Sequence, residues 1–280
     1  MREGRAWEGV VDTPVTGRTR KPRQAGITMV IDKGLGLQET VDWLALVGDA
    51  VDFLKLGFGT SVFYSRELLR RKVQFCREQA VSVYPGGTLG EVAMLQGRFS
   101  AYLRHARSLG MDAIEISDGT IILSPAQRRS AIAAALDEGF TVITEVGKKA
   151  ADEQLPIEEL WDQVLLDLDA GASFVIVEAR ESGKGVGIFD NHGDLLGKAL
   201  PFLEAVGSQE RVIWEAPMKS QQEALIRLLG PNVSLGNIPP GEVLALEALR
   251  VGLRADTLRV LLIQDQRLTN GPVNGKLLSS

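Results

Sequence analysis

The chain has 280 residues, 45% of them apolar and only 6% aromatic, with 30 glycines. That mix suits buried parallel strands interleaved with helices better than a β-sandwich, and the length accommodates a closed α/β barrel of about 250 residues as one unit. A net charge of -5 gives no electrostatic reason for nucleic-acid binding, and one cysteine, Cys76, excludes an intrachain disulfide and a thiolate zinc cluster.

Residues 1–26 have no sustained periodicity. Their basic stretch GRTRKPRQAG reads as an arm, solvated or lying over the bottom of the domain or a neighbouring subunit, with Arg23 nearest the first strand. The charged start lacks the apolar centre of a signal peptide, and no apolar run approaches the roughly 20 residues that cross a bilayer. The expected protein is soluble and cytoplasmic, with no membrane partner.

From residue 27 short apolar runs alternate with helix-like segments. The strands read as ITMVID, DFLKLG, VSVYP, AIEIS, TVITEV, FVIVEA, VIWEA and NVSLG. Between them, segments such as SRELLRRKVQFCREQA place apolar residues three and four apart, as a helix requires. Thr88 with Glu91 fits a capping box, and Ser124 before Pro125 fits an N-cap with proline at N1. Gly110, Gly139, Gly171 and Gly230 fall where helices should stop. Eight strands, each followed by a helix, predict a single-domain (β/α)8 TIM barrel over 27–258, with a polar, turn-rich tail at 259–280. An open doubly wound sheet is the alternative, but no G-x-G-x-x-G follows the first strand.

In this fold active sites sit at the carboxyl ends of the strands. Glu115, Glu145, Glu178 and Glu215 lie at or near the ends of strands four to seven, Asp32 ends strand one, and Asp118 follows strand four. The cations are equally regular: Lys33 after strand one, Lys55 within strand two, Lys148 and Lys149 after strand five, Arg180 and Lys184 after strand six, and Lys219 after strand seven. Two readings are open. One is a structural ion-pair network across the barrel mouth, which seldom adds stability over apolar packing. The other is a site for a hard divalent cation and an anionic substrate, oxygen-only ligands favouring Mg²⁺ over zinc. His105 reads as a surface residue and Cys76 as packing, while His192 lies in a loop that can reach the site. YPGGT could offer backbone amides to a phosphate or be a tight turn; Gly236 and Asn237 follow strand eight, where barrels often hold phosphate.

Together the ordered motifs GITMVIDKGLG, DFLKLGFGTS, YPGGTLGE, IEISDGTI, TEVGKK and VIVEARESG resemble phosphosulfolactate synthase over about residues 23 to 255. The resemblance implies a trimeric (β/α)8 barrel that adds sulfite to phosphoenolpyruvate with Mg²⁺. The product, (2R)-phospho-3-sulfolactate, leads to coenzyme M or to sulfolactate. On that reading the four glutamates are the metal ligands, directly or through water. Lys55, Arg180, Lys184, Lys219, Gly236 and Asn237 bind substrate, and Lys148 is the general acid, with Asp32 and Lys33 pairing or binding substrate. Plant heat-stress-associated proteins share these motifs, so a non-enzymatic barrel, or a metal-dependent lyase acting on another phosphorylated enol or keto acid, stands beside the synthase.

Overall fold

Every run expected to be a strand forms one. In this computed structural model, which describes residues 6–147, 156–179, 184, 188–190, 192–200, 203 and 210–261, the strands are β1 (Thr28–Asp32), β2 (Phe53–Leu56), β3 (Ser82–Pro85), β4 (Ala113–Ile116), β5 (Thr141–Val146), β6 (Phe174–Val177), β7 (Val212–Glu215) and β8 (Ser234–Ile238). The named helices among the described residues are α1 (Leu37–Val47), α2 (Arg66–Glu78), α3 (Gly87–Leu95), α4 (Phe99–Ser108), α5 (Pro125–Asp137), α6 (Ile157–Asp169), α7 (Lys219–Leu229) and α8 (Val243–Arg250). None is long and apolar enough to cross a membrane.

All strands run parallel in one sheet of order β3-β2-β1-β8-β7-β6-β5-β4. The result is a (β/α)8 barrel, closed but for one seam. No backbone ladder joins β3 to β4, although the two strands lie against each other. Asp112, just before β4, bridges the lower part of that seam. Its carboxylate accepts from the Ser82 hydroxyl (3.0 Å) and from the Val83 N–H (3.1 Å).

Strand alternation divides the core in two. Ile27, Met29, Phe53, Tyr84, Ala113, Ile143, Phe174, Ile176 and Ile213 form one cluster and fill the lower lumen. There Phe53 meets the edges of Tyr84 and Phe174 at ring-centre distances of 6.2 and 5.6 Å. The alternate residues, Val30, Leu54, Val83, Ile114, Val142, Val175 and Leu235 among them, belong to the second cluster, which includes Leu69 and Val73 of α2. Each such aliphatic side chain, fully buried, contributes about 1.5–3 kcal/mol.

Local signals explain the helix ends. Ser124 caps α5, its hydroxyl accepting from Gln127 N–H while the Gln127 side chain accepts from Ser124 N–H (2.9 Å), with Pro125 opening the helix. Gly110, Gly139, Gly171 and Gly230 all have positive φ (91°, 78°, 105° and 90°), as the expected stops require. The box expected from Thr88 and Glu91 is not formed. Gly86 caps α3 without a side-chain bond, and Glu91 is engaged elsewhere.

The basic arm covers the amino-terminal mouth of the barrel. Arg18 forms a two-pronged ion pair with Glu247 (2.9 and 3.1 Å) and donates to Gly26 O (2.9 Å). Arg23 holds Asp52 (3.0 Å), whose carboxylate also accepts from Thr28 N–H at the start of β1 (2.9 Å).

Candidate active site

Above the apolar layers the same alternation brings charged side chains into the upper lumen. Lys55 follows Phe53 on β2, Glu115 follows Ala113 on β4, and Glu145 follows Ile143 on β5. Glu178 and Glu215 likewise follow Ile176 and Ile213. All are buried, Lys55 at 7% exposure and the glutamates at 1–4%. Lys55 Nζ lies 3.0 Å from Glu115 Oε2, 3.0 Å from Glu145 Oε2 and 3.7 Å from Glu215 Oε1. One lysine thus gathers carboxylates from three strands.

The cluster carries more negative charge than Lys55 neutralises. Burial opposes the Lys55 charge, but Glu115, Glu145 and Glu215 outweigh it and hold the ammonium well above the usual lysine range. Burial raises Glu115, against the pull of Lys55. It pushes Glu215 up to about 7, again against Lys55. Burial, then repulsion from Glu145 and Glu215, lifts Glu178 well above the carboxylate range, and a hydrogen bond with Glu145 supports its neutral form.

The upper end of the β3–β4 seam is also closed by carboxylates. Glu115 reaches from β4 to accept the Gly87 N–H in the first turn of α3 (2.7 Å), so the protein's own anion occupies the helix N-terminus that YPGGT suggested for a phosphate. A Cβ at Gly87 would stand 2.5 Å from Ser117 Cβ and 2.6 Å from Glu115 Oε1, so this approach needs glycine. In return Glu91 reaches from α3 to the end of β4, accepting from the Ser117 hydroxyl (2.8 Å) and from Thr120 N–H (2.9 Å). Sequence reasoning missed this role because an S/T-x-x-E spacing reads first as a cap.

Arg128 of α5 steadies the next strand. It pairs with Asp167 of α6, donates to the backbone oxygen of Glu145 (3.0 Å) and binds Asp118 (3.0 Å).

The other expected residues are spread more widely. Asp32 belongs to the helix side of β1 rather than the lumen. Its carboxylate pairs with Lys72 of α2 and accepts from Gly34 and Leu35 N–H at 2.8 and 2.7 Å. Lys72, which also donates to Leu35 O (2.6 Å), was readable as a cation on the buried stripe Leu69, Val73, Cys76. Lys33 is exposed, 5.8 Å from the centre of the Phe58 ring. Lys219 is at the surface with Asp256 (2.9 Å), and Lys184 and His192 are exposed. Gly236 and Asn237 are on β8, where Asn237 is buried with φ +54° and its Oδ1 has no hydrogen-bond partner among the described residues. Lys148, Lys149 and Arg180 lie outside the described residues.

Among the described residues no three His, Cys, Asp or Glu side chains form an assembled metal-ligand set, since Lys55 stands where the carboxylates converge. A closed protein cage is therefore not what these residues offer. Mg²⁺, however, binds through one or two carboxylates and keeps several waters. The carboxyls of Glu145 and Glu178, joined by a hydrogen bond, are adjacent oxygen donors of the kind it takes.

Comparison with known proteins matches the chain to a family. The family model described as (2R)-phospho-3-sulfolactate synthase (ComA) matches residues 16–256. The chain belongs to the phosphosulfolactate synthase family. It is 46% identical to the phosphosulfolactate synthase of Methanothermobacter thermautotrophicus over 243 residues, covering 86% of this chain and 94% of that one. The phosphosulfolactate synthase of Bacillus subtilis is 39% identical over 245 residues, covering 86% and 95%. By family the chain is an enzyme of the phosphosulfolactate synthase type. The barrel is similar to 3-hexulose-6-phosphate synthase from Salmonella typhimurium, with a TM-score of 0.51 and 16% identity over 85% of this chain and 99% of that one, which bears on fold alone.

Proposed function

We propose that this member of the family joins sulfite to phosphoenolpyruvate, with Mg²⁺, to give (2R)-phospho-3-sulfolactate. The observation that carries the reading is the buried cluster of Lys55 with Glu115, Glu145 and Glu215 at the carboxyl ends of the strands, beside Glu178. Such a cluster is costly in folding, and buried carboxyls perturbed in this way gather at functional sites.

The sulfite lone pair forms the C–S bond at C3 while the C2–C3 π electrons move toward C2 and the substrate carboxylate. A proton then arrives at C2. Glu145 and Glu178 would hold the metal, directly or through water. Bound there, it would supply Lewis-acid stabilisation of the charge that develops on the substrate carboxylate. Lys55 fixes the glutamates from three strands in one geometry and compensates part of their charge, so little reorganisation is needed as the reaction proceeds. Lys148, after β5, is the candidate proton donor to C2. Arg180 and Lys184 after β6 and Asn237 on β8 are the candidates for gripping phosphate and sulfite, arginine being suited to bidentate contact with an oxyanion.

A homotrimer in the cytoplasm belongs to the same proposal. Phe58, Val62 and Phe63, each exposed in the 3-10 segment after β2, are apolar side chains available to such a contact.

Phosphorus NMR of the purified protein with phosphoenolpyruvate, sulfite and Mg²⁺, beside an EDTA control, tests the chemistry. A new phosphate-ester signal dependent on both sulfite and metal is expected. Folded protein that gives no such signal would move the assignment to another phosphorylated enol or keto acid.

A further inference from the structure

Glu91 is 1% exposed and lies outside the proposed chemistry. Burying a carboxylate is expensive, so its position calls for a use. Its Oε1 is 2.8 Å from Ser117 Oγ, and its Oε2 accepts from Thr120 N–H (2.9 Å) and from the Thr120 hydroxyl. The Ser117 oxygen also lies 3.2 Å from Glu145 Oε1 and accepts from Gly119 N–H (3.2 Å). A hydroxyl has one proton, so Ser117 donates to one carboxylate at a time. The shorter contact directs that proton to Glu91.

We infer that Glu91 is a positioning residue for the carboxylate–lysine cluster, acting through Ser117. It draws the Ser117 proton away from Glu145 and fixes the turn at 117–120, so that Glu145 shares more of its charge with Lys55. The inference rests on reading this cluster as the synthase site. Glu91→Gln keeps the shape but places an N–H donor against the Ser117 oxygen. The Ser117 proton then turns to Glu145, which shares less of its charge with Lys55.

The Lys55 Nζ resonance, followed by ¹⁵N NMR in lysine-labelled protein and assigned with Lys55→Arg, reads this without substrate. Glu91→Gln is expected to move it. Glu91→Gln combined with Ser117→Ala is expected to give the shift of Ser117→Ala alone, because the path runs through the hydroxyl. Additive shifts, or a Glu91→Gln protein that melts like wild type with its Lys55 resonance in the wild-type place, overturn the inference. If Glu91→Gln does not fold, Glu91→Asp, which withdraws the acceptor by one methylene, must move the resonance or the inference falls.

In turnover with phosphoenolpyruvate and sulfite, Glu91→Gln is expected to lower kcat by about 10- to 100-fold and leave KM nearly unchanged. A raised KM at wild-type kcat counts against it. Wild-type protein that turns over neither compound sinks the proposed substrates while the resonance test still decides the role of Glu91.

Discussion

Lys55 Nζ lies 3.0 Å from Glu145 Oε2 across the lumen, although 90 positions separate the two residues in the chain. The same ammonium reaches Glu115 on β4 and Glu215 on β7, so a single side chain from β2 ties together strands that share no ladder with it. Replacing Lys55 with Met removes the cation and leaves its partners buried. Urea unfolding near pH 8 is expected to show a loss of about 3–5 kcal/mol, smaller near pH 5, where the carboxyls take up protons instead. An equal loss at both pH values would mean that packing, not charge, sets the stability of the cluster.

Acid titration of the cluster has a definite sign. Folded, Glu215 keeps its proton up to about pH 7, chiefly because of burial; unfolded, it ionises near 4.5. Between those values the native state binds more protons than the unfolded chain, so the stability this group contributes declines as pH rises and stays low above the window. Differential scanning calorimetry of metal-free protein should show Tm falling from about pH 5 to about pH 8. Glu215→Gln should flatten the decline. If that variant kept the wild-type slope, the slope would belong to other groups.

Gly87→Ala tests the close approach of α3 to β4. The new methyl would meet Ser117 and the Glu115 carboxylate at 2.5 and 2.6 Å, so one of them must move. A stability loss of about 1–3 kcal/mol is expected from overpacking, measured by chemical denaturation. Activity should fall further than stability, because Glu115 loses its Gly87 donor. A variant as active and stable as wild type would show that the approach is relaxed in solution.

Asn237 separates strain from recognition. Its φ of +54° suits glycine better, so Asn237→Gly should stabilise the protein by up to about 1 kcal/mol and Asn237→Ala should destabilise it by a similar amount. If the side chain grips substrate, both variants should raise KM despite their opposite effects on Tm. Unchanged KM in the glycine variant would confine Asn237 to a backbone role.

The barrel and the carboxylate–lysine cluster were legible because both depend on period-two alternation. An apolar run ending in glutamate, repeated on neighbouring strands, already implies carboxylates meeting at one level, and Lys55 inside DFLKLG implies a buried cation. The side of β1 on which Asp32 lies follows from the strand's phase rather than from its end. Counting on from Met29 in the lumen places Ile31 inside and Asp32 outside, against Lys72. Glu91 was out of reach for a different reason. Its partners Ser117 and Thr120 lie beyond the next strand, and no local spacing encodes that contact.

The seam between β3 and β4 gives this barrel a property its other strand pairs do not share. Backbone ladders survive almost any substitution, because every residue but proline brings the same amide. Along this one meridian the bonds come from Asp112, Glu115 and Glu91 instead. The genetic code can therefore rewrite the closure of the barrel there one codon at a time, at the edge of the site where its carboxylates are set.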